Sequence, residues 1–157
     1  MLRLLLRLLL ALAVVPAAGA PLAAQAVQAP DRPLADAELQ SLAQRALTAV
    51  GQATGIELAG VVPVRVAEAD EVARILAKEL EPQLRAQGID SAIVADQAEM
   101  SGEFLAAILL AKYAFSAKEI LVLPEHQAEF AAALEMPELA TRDGLLMLLL
   151  HEAVHAA

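Results

Sequence analysis

The 157-residue chain has no cysteine and no tryptophan, and its only aromatic side chains are Phe104, Tyr113, Phe115 and Phe130. Without cysteine there are no disulfide staples, no thiolate metal ligands and no cysteine-linked lipid. Without bulky aromatics the core must be assembled from Leu, Ile and Val, with Ala adding little burial per residue. Positive charge is also scarce: 11 Lys and Arg stand against 20 Asp and Glu, a net charge of −9. A surface of that sign repels phosphate backbones, so nucleic acid is not expected as a partner. No internal repeat is visible, and the length suits one domain.

The N-terminus departs from this acidic character. Met1-Leu2-Arg3-Leu4-Leu5-Leu6-Arg7 is a short basic start, and Leu8 to Val15 is an uninterrupted apolar run ended by Pro16. Ala24-Gln25-Ala26 places small side chains where a signal peptidase reads them, so residues 1–26 are expected to be a secretory signal peptide cut before Val27. Cleavage after Ala18-Gly19-Ala20 would be hindered by Pro21. An uncleaved anchor is the alternative. The uncharged stretch from Leu8 to Pro30 is long enough to span, but Pro16, Pro21 and Pro30 interrupt it. The expectation is a protein exported to the periplasm or secreted, with no stable membrane association after cleavage. Residues 27–157 then form a single domain.

Within that domain, Val27 to Arg32 reads as a linker, and Asp31 can cap a helix with Pro33 in its first turn. Leu34, Leu39, Leu42, Leu47 and Val50 recur near helical spacing, which predicts a helix over 33–53 closed by Gly55. Val61 to Val66 is β-branched and reads as a strand, and Pro63 favours an edge position. A helix capped by Asp70 follows, with Val72, Ile75, Leu76, Leu80 and Leu84 on its apolar face. Ile89 to Ala95 is a short strand or a loop, and Asp96 to Tyr113 is predicted to be a third helix. Ile120 to Leu123 is a strand ended by Pro124, and Glu125 to Leu134 is helical up to Pro137. Thr141 or Asp143 can cap a last helix running through Leu145 to Leu150, apolar on all sides and so expected to be buried. The pattern is a helix-rich α+β domain with a small sheet.

That last helix runs into His151-Glu152-Ala153-Val154-His155. Histidines four apart on a helix share a face about one turn apart. Two imidazole nitrogens so placed can both reach one Zn²⁺ at about 2.0–2.1 Å. Glu152, beside the first histidine, is placed to take a proton from metal-activated water and pass it to a leaving amine. Two of only three histidines in the chain fall at ligand spacing around a glutamate. The competing reading is a pair of histidines without a ligand, one of them hydrogen-bonded to its neighbouring glutamate.

Leu149 to Ala156 resembles the active-site helix of HExxH zinc metallopeptidases, the zincins, and is most similar to exported bacterial members of the gluzincin type. Glu119 to Glu125 resembles the strand that often precedes that helix and lies beside the cleft, where it can pair with an extended peptide. The resemblance covers roughly residues 120–157. It implies a zincin-like fold with a C-terminal active-site helix, Zn²⁺ as cofactor held by His151 and His155, Glu152 as catalytic residue, and a peptide or protein substrate. It also implies a third ligand, a Glu on a following helix in gluzincins or a His six residues further on in metzincins. Neither falls within 157 residues, so the domain is expected to be incomplete at its C-terminus. Upstream, Glu125, His126 and Glu129 are nearest in character to a third ligand, whereas Glu99 and Glu103 read as a solvated helix face and Tyr113 as helix packing. Two function classes remain open. One is a zinc-dependent peptidase hydrolysing peptide bonds with metal-activated water. The other is a non-catalytic exported helical domain with a structural or binding role.

Overall fold

A computed structural model describes residues 35–56 and 60–157. The expected signal peptide, the 27–32 linker and the Asp31 cap lie outside the described residues. Those that are described form a helix-rich α+β fold with a three-stranded sheet. In chain order the elements are α1 (Asp36–Thr54), β1 (Val64–Val66), α2 (Ala69–Ala86), α3 (Val94–Ala106), β2 (Ala111–Ala114), β3 (Glu119–Val122) and α4 (Pro124–Ala133). A short 3-10 turn (Pro137–Ala140) and α5 (Arg142–Ala156) complete the order. None of the described helices is long and apolar enough to cross a membrane.

The sheet runs β1-β3-β2, with β1 parallel and β2 antiparallel to the central β3. Successive side chains on a strand face opposite sides, and this alternation divides the core in two. On one side Val64, Tyr113, Ile120 and Val122 pack against Leu42 and Leu47 of α1 and Leu145, Leu149 and Ala153 of α5. On the other, Ala114, Leu121 and Leu123 meet Val72 and Leu76 of α2. The result is helices on both faces of the sheet, with α5 lying between α1 and β2.

Local chemistry explains most boundaries. In α1 the buried residues Leu39, Leu42, Ala43, Ala46, Leu47 and Val50 make one helical stripe. The helix ends as expected at Gly55, whose φ of 73° is the left-handed region glycine adopts freely, with its N–H on Gly51 C=O at 2.8 Å. Thr141 caps α5, its Oγ1 accepting from Gly144 N–H at 3.1 Å. Gly144 is required there: a Cβ would sit 2.5 Å from Leu139 C=O of the 3-10 turn. Asp70, expected as the α2 cap, instead lies in the first turn of a helix that starts at Ala69.

Two expectations are corrected. The helix predicted over 96–113 stops at Ala106, and its last residues become β2. Leu110 C=O accepts from Leu123 N–H at 3.0 Å, so pairing with β3 outcompetes continued helix. The strand within 119–125 is not a cleft edge. It is β3, bonded on both sides, with Ile120, Leu121 and Val122 at most 1% exposed. β1 is an edge, as Pro63 suggests, and β2 is the other. Around the all-apolar last helix burial is uneven: Leu145 and Leu149 are buried, whereas Met147 faces solvent.

Candidate metal centre

The HExxH segment lies in the last two turns of α5, which is helical through Ala156. His151 and His155 are both exposed, with ring centroids 5.0 Å apart and ring planes at 83°. Two imidazoles bound at about 2.0–2.1 Å to one tetrahedral zinc have ring centres about 5 Å apart, and an edge-to-face ring contact gives the same spacing. The intervening Ala153 is fully buried and Val154 points outward, so the helix is anchored between its two imidazoles.

Glu152 points the other way, into the protein, and is 7% exposed. It reaches the outer edge of β2. Leu110 and Ala114 turn their carbonyls toward β3, accepting from Leu123 N–H at 3.0 Å and Lys118 N–H at 2.7 Å. The alternation of an antiparallel ladder then directs the amide groups of Ala111 and Tyr113 outward. Glu152 Oε2 accepts the Tyr113 N–H at 2.6 Å. Its other oxygen has no hydrogen-bond partner among the described residues, yet no side-chain oxygen among them is both buried and unpartnered, so that oxygen keeps contact with solvent. One carboxylate oxygen is therefore fixed by backbone and the other reaches solvent. The same hydrogen bond also serves a purely structural end, since an exposed strand edge needs its N–H groups satisfied.

The β2–β3 turn completes the surroundings. Phe115 lies with its ring centroid 6.3 Å from that of His155 and 5.1 Å from that of Tyr113, meeting both at steep angles. Lys112 Nζ sits 4.7 Å from the Phe115 centroid and donates to Tyr113 C=O at 2.5 Å. It also pairs with Glu79 of α2 at 2.9 Å, both side chains being largely buried.

The residues considered for a third ligand are not brought to the pair. Among the described residues no group of three or more His, Asp or Glu is arranged to hold a metal. His126 uses Nδ1 on Leu109 C=O at 3.0 Å, which ties the start of α4 to the segment before β2. Glu125 and Glu129 are exposed on α4. A broad groove along α1, lined by Gln44, Thr48, Val61, Leu146 and Leu150 among others, does not include the motif. Leu150 of that groove directly precedes His151 in α5, but neither histidine nor Glu152 is among its lining residues.

Sequence reasoning missed the backbone N–H of Tyr113 and the ring of Phe115. Both belong to residues about 40 positions from the motif, and no local pattern announces the contact. The one available signal was the short Ala111-Lys112-Tyr113-Ala114 alternation, which the surrounding helix-forming residues obscure. No protein-family model matches the chain, and neither does any curated protein or solved structure.

Proposed function

We propose that the chain is an exported zinc metallopeptidase-like protein acting on a peptide or protein substrate, with His151 and His155 holding the metal and Glu152 as its acid–base group. The observation that carries this reading is the placement of two exposed imidazoles 5.0 Å apart on α5, with a glutamate between them fixed by Tyr113 N–H. A bound zinc ion would supply Lewis acidity, activating water at neutral pH and polarising a peptide carbonyl. Glu152 would accept a proton from the attacking water through its solvent-facing oxygen, then donate it to the leaving amine. Tyr113 N–H would keep the carboxylate from rotating away during both transfers. Two protein nitrogens are one fewer than catalytic zinc sites use, so this part of the molecule is expected to bind zinc more weakly than a complete site. Export is supported by the basic start, apolar run and small residues of positions 1–26.

A second reading has its own observation in its favour. Glu152 seals a strand edge, and no third ligand joins the histidines among the described residues. An exported helical domain with a structural or binding role would keep both features without chemistry. Zinc titration against a chromophoric chelator separates the two. The peptidase reading expects one ion per chain and about tenfold or greater loss of affinity for either His151→Ala or His155→Ala. It also expects hydrolysis of an unstructured protein such as casein, abolished by Glu152→Gln in a variant that remains folded. Absence of stoichiometric zinc uptake would overturn it.

A further inference from the structure

Phe115 is 57% exposed, yet its position is tightly determined. Tyr113 meets its ring edge-on at 5.1 Å, and Lys112 Nζ lies 4.7 Å from its centroid. Lys112 is itself held by Glu79 at 2.9 Å and by Tyr113 C=O. The next residue, Ser116, donates its N–H to the same Glu79 at 3.2 Å, and the turn closes through Lys118 at φ 54° with its N–H on Ala114 C=O. α2 thus clamps the turn from behind, while the ring stands out beside His155.

An aromatic ring gains free energy when its apolar surface is covered, and more when another ring or aliphatic group packs against it. Here burial does not hold the ring in place; contacts from β2 and α2 do, so it is pre-positioned before any ligand arrives, and ordering it costs a ligand little. Lys112 already supplies the cation that an aromatic face attracts, which makes an apolar side chain a better complement than a basic one.

We propose that Phe115 is the specificity-determining contact of this site, receiving an apolar, above all aromatic, side chain of a peptide bound beside His151 and His155. The inference rests on the peptide-substrate reading given above. It adds the class of side chain selected, and places selection in the β2–β3 turn and not on α5. Phe115 is a recognition residue here, with no part in proton transfer.

The test uses the full chain and two probes, the acetylated, amidated tripeptides Ala-Phe-Ala and Ala-Ala-Ala. Each is titrated with and without Zn²⁺ while the histidine ring signals are followed by NMR. The phenylalanine peptide is expected to shift the His155 ring signals at about tenfold lower concentration than the alanine peptide. Phe115→Ala should reduce that preference to about twofold or less, Phe115→Leu should retain part of it, and Phe115→Tyr should restore it. Zinc affinity by chelator competition is measured for each variant, and thermal unfolding shows that each remains folded. Equal response to the two peptides in the parent chain would overturn the proposal, as would a preference that survives Phe115→Ala. Zinc uptake is read separately. A chain that prefers the phenylalanine peptide without metal but takes up no zinc would sink the hydrolase reading and leave this one standing.

Discussion

On the outer edge of β1, Gln40 of α1 uses both ends of its amide, donating to Val62 C=O at 3.0 Å and accepting from Val64 N–H at 3.1 Å. On the outer edge of β2, Glu152 of α5 accepts from Tyr113 N–H alone, and the matching carbonyl is covered by Lys112. Both edges of one small sheet are thus closed by a helix side chain, but with different chemistry. An amide offers a donor and an acceptor, whereas an ionised carboxylate only accepts. Sealing alone is served well by glutamine, as Gln40 demonstrates. A glutamate at position 152 closes less of its edge and leaves an oxygen in contact with water. The two seals therefore differ in charge and in donor capacity, with Lys112 supplying at β2 the donor that Gln40 itself supplies at β1.

The largest effect should come from breaking the helix that carries the β2 seal. Leu149 is fully buried between α1 and the sheet, so Leu149→Ala is expected to cost about 2–5 kcal/mol. On the same helix Met147 is 53% exposed, and Met147→Ala should stay within about 0.5 kcal/mol. Urea unfolding measures both. Native-state hydrogen exchange sharpens the comparison: in Leu149→Ala the Tyr113 amide should lose protection before the Val64 amide, which Gln40 guards from the other helix. Simultaneous loss at both edges would mean that α1 and α5 do not seal independently.

The two edges also differ in how legible they were. The HExxH spacing and the apolar run from Leu145 placed α5 and its histidines correctly, because helical periodicity is a local property. The periodic stripe of α1 and the glycine at its end were readable for the same reason. The partner of Glu152 was not. Ala111 to Ala114 follows a helix and contains residues that tolerate helix, so only pairing with β3 some ten residues later makes it a strand. β3 reads as a strand from Ile120 to Leu123, but whether it is central or an edge depends on β1 and β2, which periodicity does not reveal. The direction of Glu152, inward between two outward histidines, follows from tertiary packing that the motif alone does not specify.

A paired substitution tests the contrast in chemistry directly. Gln40→Leu removes both hydrogen bonds at β1 and leaves a carbonyl and an amide without partners, an expected loss of about 1–3 kcal/mol. Glu152→Gln keeps an acceptor for Tyr113 N–H and should cost less than about 1 kcal/mol. Stability should therefore fall clearly in the first and little in the second, while any hydrolysis is lost only in the second. A Glu152→Gln chain that is as unstable as Gln40→Leu would show that the negative charge itself holds β2, and would weaken the catalytic argument.

The smallest expected effect concerns the other flank of β1, where Arg65 lies between Glu71 of α2 and Glu119 of β3 at 2.7 and 2.9 Å. Hydrogen bonding to Arg65 holds the Glu71 carboxyl below its ordinary value of 4.5, and the two carboxylates together raise Arg65 above its own. Arg65 stays charged at any usable pH and adds no pH dependence of its own. Glu71 binds fewer protons folded than unfolded, so its stabilisation is present in full above 4.5 and is lost as pH falls through the lowered folded value. Arg65 and Glu71 are more than a third exposed, so salt should screen the effect. Arg65→Met is then expected to flatten part of the acid limb of the stability curve at low ionic strength, with little change near neutrality. β2 has no equivalent clamp of two carboxylates on one guanidinium among the described residues. Acid should therefore weaken this β1 clamp only as pH falls through the lowered Glu71 value, and a chain whose acid limb is unchanged by Arg65→Met would remove this asymmetry between the edges.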